Sequence, residues 1–301
     1  MTTLVLGHLV LDEIHAFDGS VFHAAGGITF PLGAFHALAE NGDRVIPVFP
    51  YGSDAADTVR DLAARFTGVD FASCWPVAEG NTRVRLFHES PTQYNTQLVR
   101  SLPPIPPERY ASVLSDADLV YCNLMTGDDI LPADASALRG EGRLVFIDLH
   151  MIAYRVHGNG RREPAPAAEW KQWVSSGDIV QCNAREFSAL TGGMEADAGM
   201  MQELLAETGT GMFIVTRGED GADIHAPGES MRHIPVVAPD TVVDPTGCGD
   251  TFGATFAYLR AGGASVDAAA AEAAAAAATV VSLPGSRGME GLRKRRKGAG
   301  A

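Results

Sequence analysis

In this 301-residue chain, the residues most suited to chemistry lie in one stretch, Asp244-Pro245-Thr246-Gly247-Cys248-Gly249-Asp250-Thr251-Phe252-Gly253. Gly247 and Gly249 permit a tight turn, and a helix starting near Asp250 would present unpaired N–H groups and the positive end of its dipole. Such a cradle can hold a phosphate without any lysine. The dipole also favours an ionised aspartate in the first turn. Asp250 could then take a proton from an attacking hydroxyl while the cradle stabilises a transferring phosphoryl group. Spacing alone leaves two other readings open. One is a glycine turn whose aspartate only complements the dipole. The other is a variant dinucleotide loop, Gly247-x-Gly249-x-x-x-Gly253, although such loops normally follow the first strand of their fold.

Composition narrows these choices. Lys171, Lys294 and Lys297 are the only lysines, and two of them sit in a basic terminal run, Arg293-Lys294-Arg295-Arg296-Lys297. A lysine-bearing P-loop is therefore excluded. Lysine plus arginine number 23 against 37 aspartates and glutamates, a net charge of −14. A body this acidic repels a phosphate backbone, so no nucleic-acid partner is expected. Cys74, Cys122, Cys182 and Cys248 form no C-x-x-C pair, which argues against a zinc ribbon or disulfide framework and for a reducing, cytoplasmic location. No leader pattern opens the chain, and the apolar run at 268–281 contains Glu272 and is too short to span a bilayer, so no membrane association is expected.

Around this stretch, short apolar runs alternate with helical patterns. Thr3–Leu6, Arg44–Val48, Asp118–Tyr121, Leu144–Ile147, Asp178–Val180 and Met212–Val215 read as buried strands. Leu32–Glu40, Ala55–Phe66, Ala184–Leu190, Met200–Glu207, Asp250–Arg260 and the alanine-rich Ser265–Val281 read as helices. The alternation predicts an α/β fold with a mainly parallel sheet covered on both faces. Two segments break the rhythm: Ile14–His23, with Asp18-Gly19 as a hairpin turn, and Thr82–Arg100, with a Ser90-Pro91 turn. They predict a small separate sheet, and its exposed edges would suit a lid or a homodimer contact. A proline-rich connector, Leu102–Pro107, leads back to the body.

Several motifs in order resemble the ribokinase-like, or PfkB-type, carbohydrate kinases. Asp-Pro-Thr-Gly-Cys-Gly-Asp is similar to their C-terminal D-T-x-G-A-G-D signature. Gly7 through Asp12 matches G-x-x-x-x-D, and Gly26-Gly27 matches the diglycine element. Asn183-Ala184-Arg185-Glu186 matches N-x-x-E, and Thr216-Arg217-Gly218 matches T-x-G. The resemblance runs from Gly7 to about Gly288. It implies a three-layer α/β/α kinase domain over residues 1–288, with lid strands within about 12–24 and 82–100, and a basic tail over 289–301.

The resemblance also implies roles. Asp250 would be the catalytic base, and the amides of Gly247, Cys248 and Gly249 the anion hole. Asn183 and Glu186 would organise Mg2+ through water, Thr216 and Gly218 would line the ATP site, and Asp12, Gly26 and Gly27 would hold the substrate. Asp244 would lie near a monovalent-cation site, such as K+, of the kind some members use. Each has a plainer counterpart: Asn183 and Glu186 also form a helix-capping pattern, and Asp12 also suits a turn.

The chain departs from the pattern in four places. Cys248 replaces alanine, and Pro245 replaces threonine. Pro31 stands where many sugar kinases carry a sugar-binding asparagine, and His150 stands in the asparagine's place of a D-x-N motif beginning at Asp148. His150 and Arg155 are left out of the expected site. Phe22, Phe30, Phe87 and Tyr94 are expected to seal the lid or stack on a nucleobase. The expected activity is ATP-dependent phosphorylation of a hydroxyl on a sugar, polyol or similar small molecule. The alternatives are a nucleoside kinase, a dinucleotide-dependent oxidoreductase and a non-catalytic sugar sensor.

Overall fold

The computed structural model describes residues 1–16, 18–88, 94–165, 168–239 and 241–293. Its main sheet has eight strands in the order Arg232–Ile234, Ala222–His225, Met212–Thr216, Ile179–Asn183, Leu144–Asp148, Leu119–Asn123, Thr2–Gly7 and Arg44–Val48. The last six run parallel, and the first two join antiparallel at one edge. The parallel strands are almost wholly buried, as their continuous apolar runs require. The two antiparallel strands carry polar residues in a short hairpin and gave no clear strand pattern in the sequence.

A second sheet of four strands stands apart, in the order Val21–Gly27, Leu9–His15, Arg83–His88 and Tyr94–Arg100. The hairpin arms are longer than the Ile14–His23 reading, and Asp12 lies inside a strand rather than in a turn. Residues Val10, Asp12, Ile14, Phe22, Ala24, Val84, Leu86 and Leu98 share one face by register and alternation. Met125 of the main body packs against that face. At the crossing between the sheets, Asn81 donates to the Leu9 carbonyl at 2.8 Å, and Thr82 Oγ1 lies 3.2 Å from His8 Nδ1. Phe30 is not in this sheet but in helix Thr29–Leu38. Phe22 and Phe87 are exposed, with Phe87 stacked on His15. The Ser90-Pro91 turn and the Tyr94 side chain lie outside the described residues.

Helix Cys248–Ala261 packs across the strands, between helices Thr29–Leu38 and Val266–Val281. Gly253 makes the close approach possible, since a Cβ there would lie 2.9 Å from the Gln181 side chain. Alanines 269, 270, 273 and 274 give the last helix a small buried face against it. The C-terminus corrects one expectation. Met289 and Leu292 are buried, and Arg65 donates to Glu290 at 2.5 Å. The chain through Arg293 is thus part of the packed body, and residues 294–301, with the two tail lysines, lie outside the described residues.

Candidate active site

The sheet order places a switch between Thr2–Gly7 and Leu119–Asn123: from the first strand the chain goes to one side, then returns to build the other. Ligands in open α/β sheets bind beyond the carboxyl ends of strands at such a point. Gly7, Asn123, Asp148, Asn183 and Thr216 end adjacent parallel strands there.

The helix facing this edge starts at Cys248, two residues earlier than the sequence suggested. Pro245–Cys248 forms a tight turn in which the Cys248 amide donates to the Pro245 carbonyl at 3.3 Å. Gly247 sits at φ +82 and ψ 2, the third position of a type II turn. A Cβ there would lie 2.0 Å from Phe30 Cδ1, so both the backbone angle and the packing require glycine. The turn modifies the expected anion hole: the Cys248 amide is already engaged, while the amides of Gly247 and Gly249 donate to no protein group among the described residues.

Asp250 lies in the first turn of this helix. Asn123 donates to its Oδ1 at 2.7 Å, and the Tyr121 hydroxyl reaches its backbone carbonyl at 3.3 Å. Gln181 bridges from Asp148 Oδ2 to the Gly249 carbonyl, at 3.0 Å each. Burial raises the Asp250 pKa; His150 and the Asn123 bond oppose the rise, and Glu186 adds to it. The helix dipole was expected to favour an ionised Asp250, and burial acts in the opposite direction. A raised carboxyl is the better proton acceptor near neutral pH. Asp148 is raised further, by burial first, with His150 opposing and Asp250 and Glu186 contributing.

Asn183 and Glu186 realise both cap bonds. Asn183 Oδ1 accepts from the Glu186 amide at 2.9 Å, and Glu186 Oε2 accepts from the Asn183 amide at 2.8 Å. Glu186 Oε1 lies 3.0 Å from His150 Nδ1. A carboxylate has about four acceptor positions, so Glu186 retains capacity for metal-bound waters. Among the described residues no group of three His, Cys, Asp or Glu side chains is arranged to ligate a metal directly. The residues therefore fit magnesium held through water. Thr216 pairs in register with Asn183, and Gly218, at φ +61, opens the turn that follows.

Asp12 and Gly26 are in contact, for a Cβ on Gly26 would meet Asp12 Oδ2. Burial raises Asp12 to about 7, against the opposing pull of Arg162. Gly27, at φ +60, lies against His8 and Met125. Met125 follows Asn123 by two residues, so the segment 123–125 joins the Asp12 group to the Asp250 group. Arg162 donates to the Met125 carbonyl at 3.0 Å. Asp244 Oδ1 accepts from the Thr246 amide at 2.9 Å, and Asp244 and Asp250 both add to the burial that raises the Cys248 thiol.

Sequence reasoning missed Asn123, Gln181 and Arg162, and it set His150 aside. For Asn123 and Gln181 a signal was present: each is an amide side chain within an otherwise apolar strand. Arg162 lies in a short hairpin strand, Arg162–Pro164, with no pattern to mark it.

The family model described as pfkB family carbohydrate kinase matches residues 156–290. The chain is similar to the bifunctional protein HldE of Pseudomonas fluorescens, 34% identical over 121 residues, covering 39% of this chain and 25% of that protein. It thus spans a quarter of the length of that curated relative. It is also similar to the cytidine kinase of Thermococcus kodakarensis, 25% identical over 84% of this chain and 86% of the relative. In fold it is similar to a pyrophosphate-dependent kinase in the ribokinase family. The TM-score is 0.78 at 18% identity, with 95% of this chain and 96% of that chain covered. With its ordered motifs gathered at one sheet edge, the chain has the fold of the ribokinase-like kinases, and less than half of it, residues 156–290, matches the pfkB family model.

Proposed function

We propose that the protein is an ATP-dependent, magnesium-requiring kinase that phosphorylates a hydroxyl of a sugar or sugar-like small molecule. The observation that carries this reading is the Asp250 carboxylate, held by Asn123 in the first turn of a glycine-led helix, at the switch point of the sheet. Asp250 accepts the proton of the acceptor hydroxyl as the phosphoryl group arrives. The free amides of Gly247 and Gly249 stabilise the charge that develops. Thr216 and Gly218 border the donor, and Asn183 and Glu186 orient waters around magnesium, whose charge offsets that of the donor phosphates. Asp12, with Gly26 and Gly27 beside it, receives acceptor hydroxyls.

The small sheet acts as a lid that excludes water from the transfer. Its exposed Val21, Phe22 and Val99 suit contact with a second copy. A monovalent cation near Asp244 is a separate element, checked by comparing K+ with Na+ in the assay.

One observation favours a nucleoside acceptor as the second reading. Apart from Asp12, the lid face opposite Met125 is mostly apolar, with Val10, Ile14, Val84, Leu86 and Leu98. Such a surface suits a base better than a ring of hydroxyls. An ADP-release screen over sugars, polyols, sugar phosphates and nucleosides tests both readings, with Asp250→Asn as the blank and pyrophosphate offered in parallel with ATP. Donor-dependent turnover with one acceptor class, absent in the blank, supports the proposal. Near wild-type turnover by Asp250→Asn refutes the base assignment.

A further inference from the structure

Three carboxylates, Asp148, Glu186 and Asp250, influence one another at the site where an anionic donor must approach. Among the described residues, no lysine or arginine forms an ion pair with any of them; their basic partner is His150. His150 is also the only described residue other than glycine with φ in the left-handed region, at +37. Histidine enters that region at some cost, and a residue stays there when its surroundings hold it.

The hold on His150 is visible on both sides. Ahead of it the Leu149 amide donates to the Gln181 carbonyl at 2.9 Å, and after it the Met151 amide donates to the Leu124 carbonyl at 3.0 Å. The imidazole is left facing Glu186, with Nδ1 at 3.0 Å from Oε1. The other Glu186 oxygen is fixed by the Asn183 amide. Each oxygen of this carboxylate is therefore held from a different strand end, and its plane is set.

We propose that His150 is a positioning residue that fixes the Glu186 carboxylate toward the donor's phosphate groups and keeps it apart from Asp250. This rests on the kinase reading above. Without the imidazole, Glu186 retains one fixing bond, and its freed oxygen can rotate toward the other acids and repel the incoming phosphates. A purely structural His150, pinning the turn after Asp148, would affect stability alone.

The test uses His150→Gly, which accepts the left-handed backbone, Glu186→Gln and the double variant. Three quantities are read: melting temperature, binding of Mn2+–ATP without acceptor by calorimetry, and kcat and KM with Mg2+–ATP. Partners of this indirect kind typically contribute 10- to 100-fold. His150→Gly should therefore weaken Mn2+–ATP binding by about that factor and raise the KM for ATP, with the acceptor KM unchanged. In the Glu186→Gln background the same change should add little, because the two residues act as one unit. His150→Asn also tolerates this backbone but is too short to bridge, and it should show the same loss; it serves if the glycine variant unfolds.

Unchanged Mn2+–ATP binding in both folded His150 variants overturns the proposal. So does a double variant whose loss equals the product of the single losses. A wild-type protein that binds Mn2+–ATP yet transfers phosphate to no hydroxyl overturns the kinase reading alone, since the binding comparison still judges His150. A wild-type protein that does not bind it overturns both.

Discussion

Replacing Asp12 with asparagine should stabilise the protein at alkaline pH while removing its use of the acceptor. Aspartate ordinarily ionises near 3.8, and burial raises Asp12 to about 7 even with Arg162 opposing. Between those values the folded state keeps a proton that the unfolded chain has released. The contribution of Asp12 to stability is therefore full below its unfolded pKa and is lost as pH rises through about 7. A difference of about three pH units corresponds to about 4 kcal/mol as a ceiling. Asp12 keeps partial solvent access, and water screens part of that energy, leaving about 2 kcal/mol. Asparagine is close in shape to the protonated acid and cannot ionise. The two proteins should thus be nearly equal in stability near pH 3, below the unfolded pKa, and the variant should lead by ~2 kcal/mol near pH 8 to 9. Urea denaturation at a series of pH values and constant ionic strength measures the difference. Asp148 and Asp250 are common to both proteins and cancel. Acceptor-dependent turnover at pH 8 supplies the functional arm. Parallel stability curves, or a variant that is weaker at pH 8, would refute the reasoning, and so would undiminished turnover.

Other expectations follow from single positions. Asp250→Asn should lower kcat by about 10²- to 10⁴-fold, the range for a general base, while calorimetry finds ATP binding largely intact. Gly247→Ala should cost about 2 to 4 kcal/mol in urea denaturation, because the added Cβ falls 2.0 Å from Phe30 Cδ1 at a φ of +82; a loss below 1 kcal/mol would mean that the turn relaxes easily. Met289→Ala should cost about 2 to 5 kcal/mol as a cavity opens beside Gly33, whereas a solvated tail would give no change. With a net charge of −14, ATP association by stopped-flow should quicken or hold steady as salt rises, and a steep fall would mean that local cations such as Arg185 and Arg217 outweigh the net charge.

The parallel core was legible because buried strands leave continuous apolar runs, and the helices between them keep their period. The antiparallel edge, Ala222–His225 and Arg232–Ile234, was not, because a short hairpin containing Asp223, His225 and His233 carries neither pattern. The helix start at Cys248 was read two residues late for a related reason. A glycine pair marks a turn, but which glycine adopts positive φ is decided by Phe30, a residue far away in sequence. The C-terminal boundary was misplaced because Met289 and Leu292 are two apolar residues next to a basic run, and burial is a property of what they meet, such as Gly33 against Met289.

The candidate site divides along the same line. Residues whose place depends on backbone geometry or a cap, such as Gly247, Asn183 and Glu186, leave spacing signals in the sequence. Residues that act by reaching across strands do not: Asn123, Gln181 and His150 each work through a partner on another element. Charge gives this division a physical meaning. Ionised acids gathered at one strand edge would repel one another and any phosphate, so such a cluster needs neutral amide donors and a basic ring spread over several strands. Glu186 and Asp250 announce themselves in the sequence through motif spacing, whereas Asn123 and Gln181 leave only the weaker mark of an amide within an apolar strand. The groups that make the acids' proximity tolerable are ordinary residues inside apolar strands or, for His150, in the turn that follows one, and they acquire their role only when the sheet order aligns the strand ends.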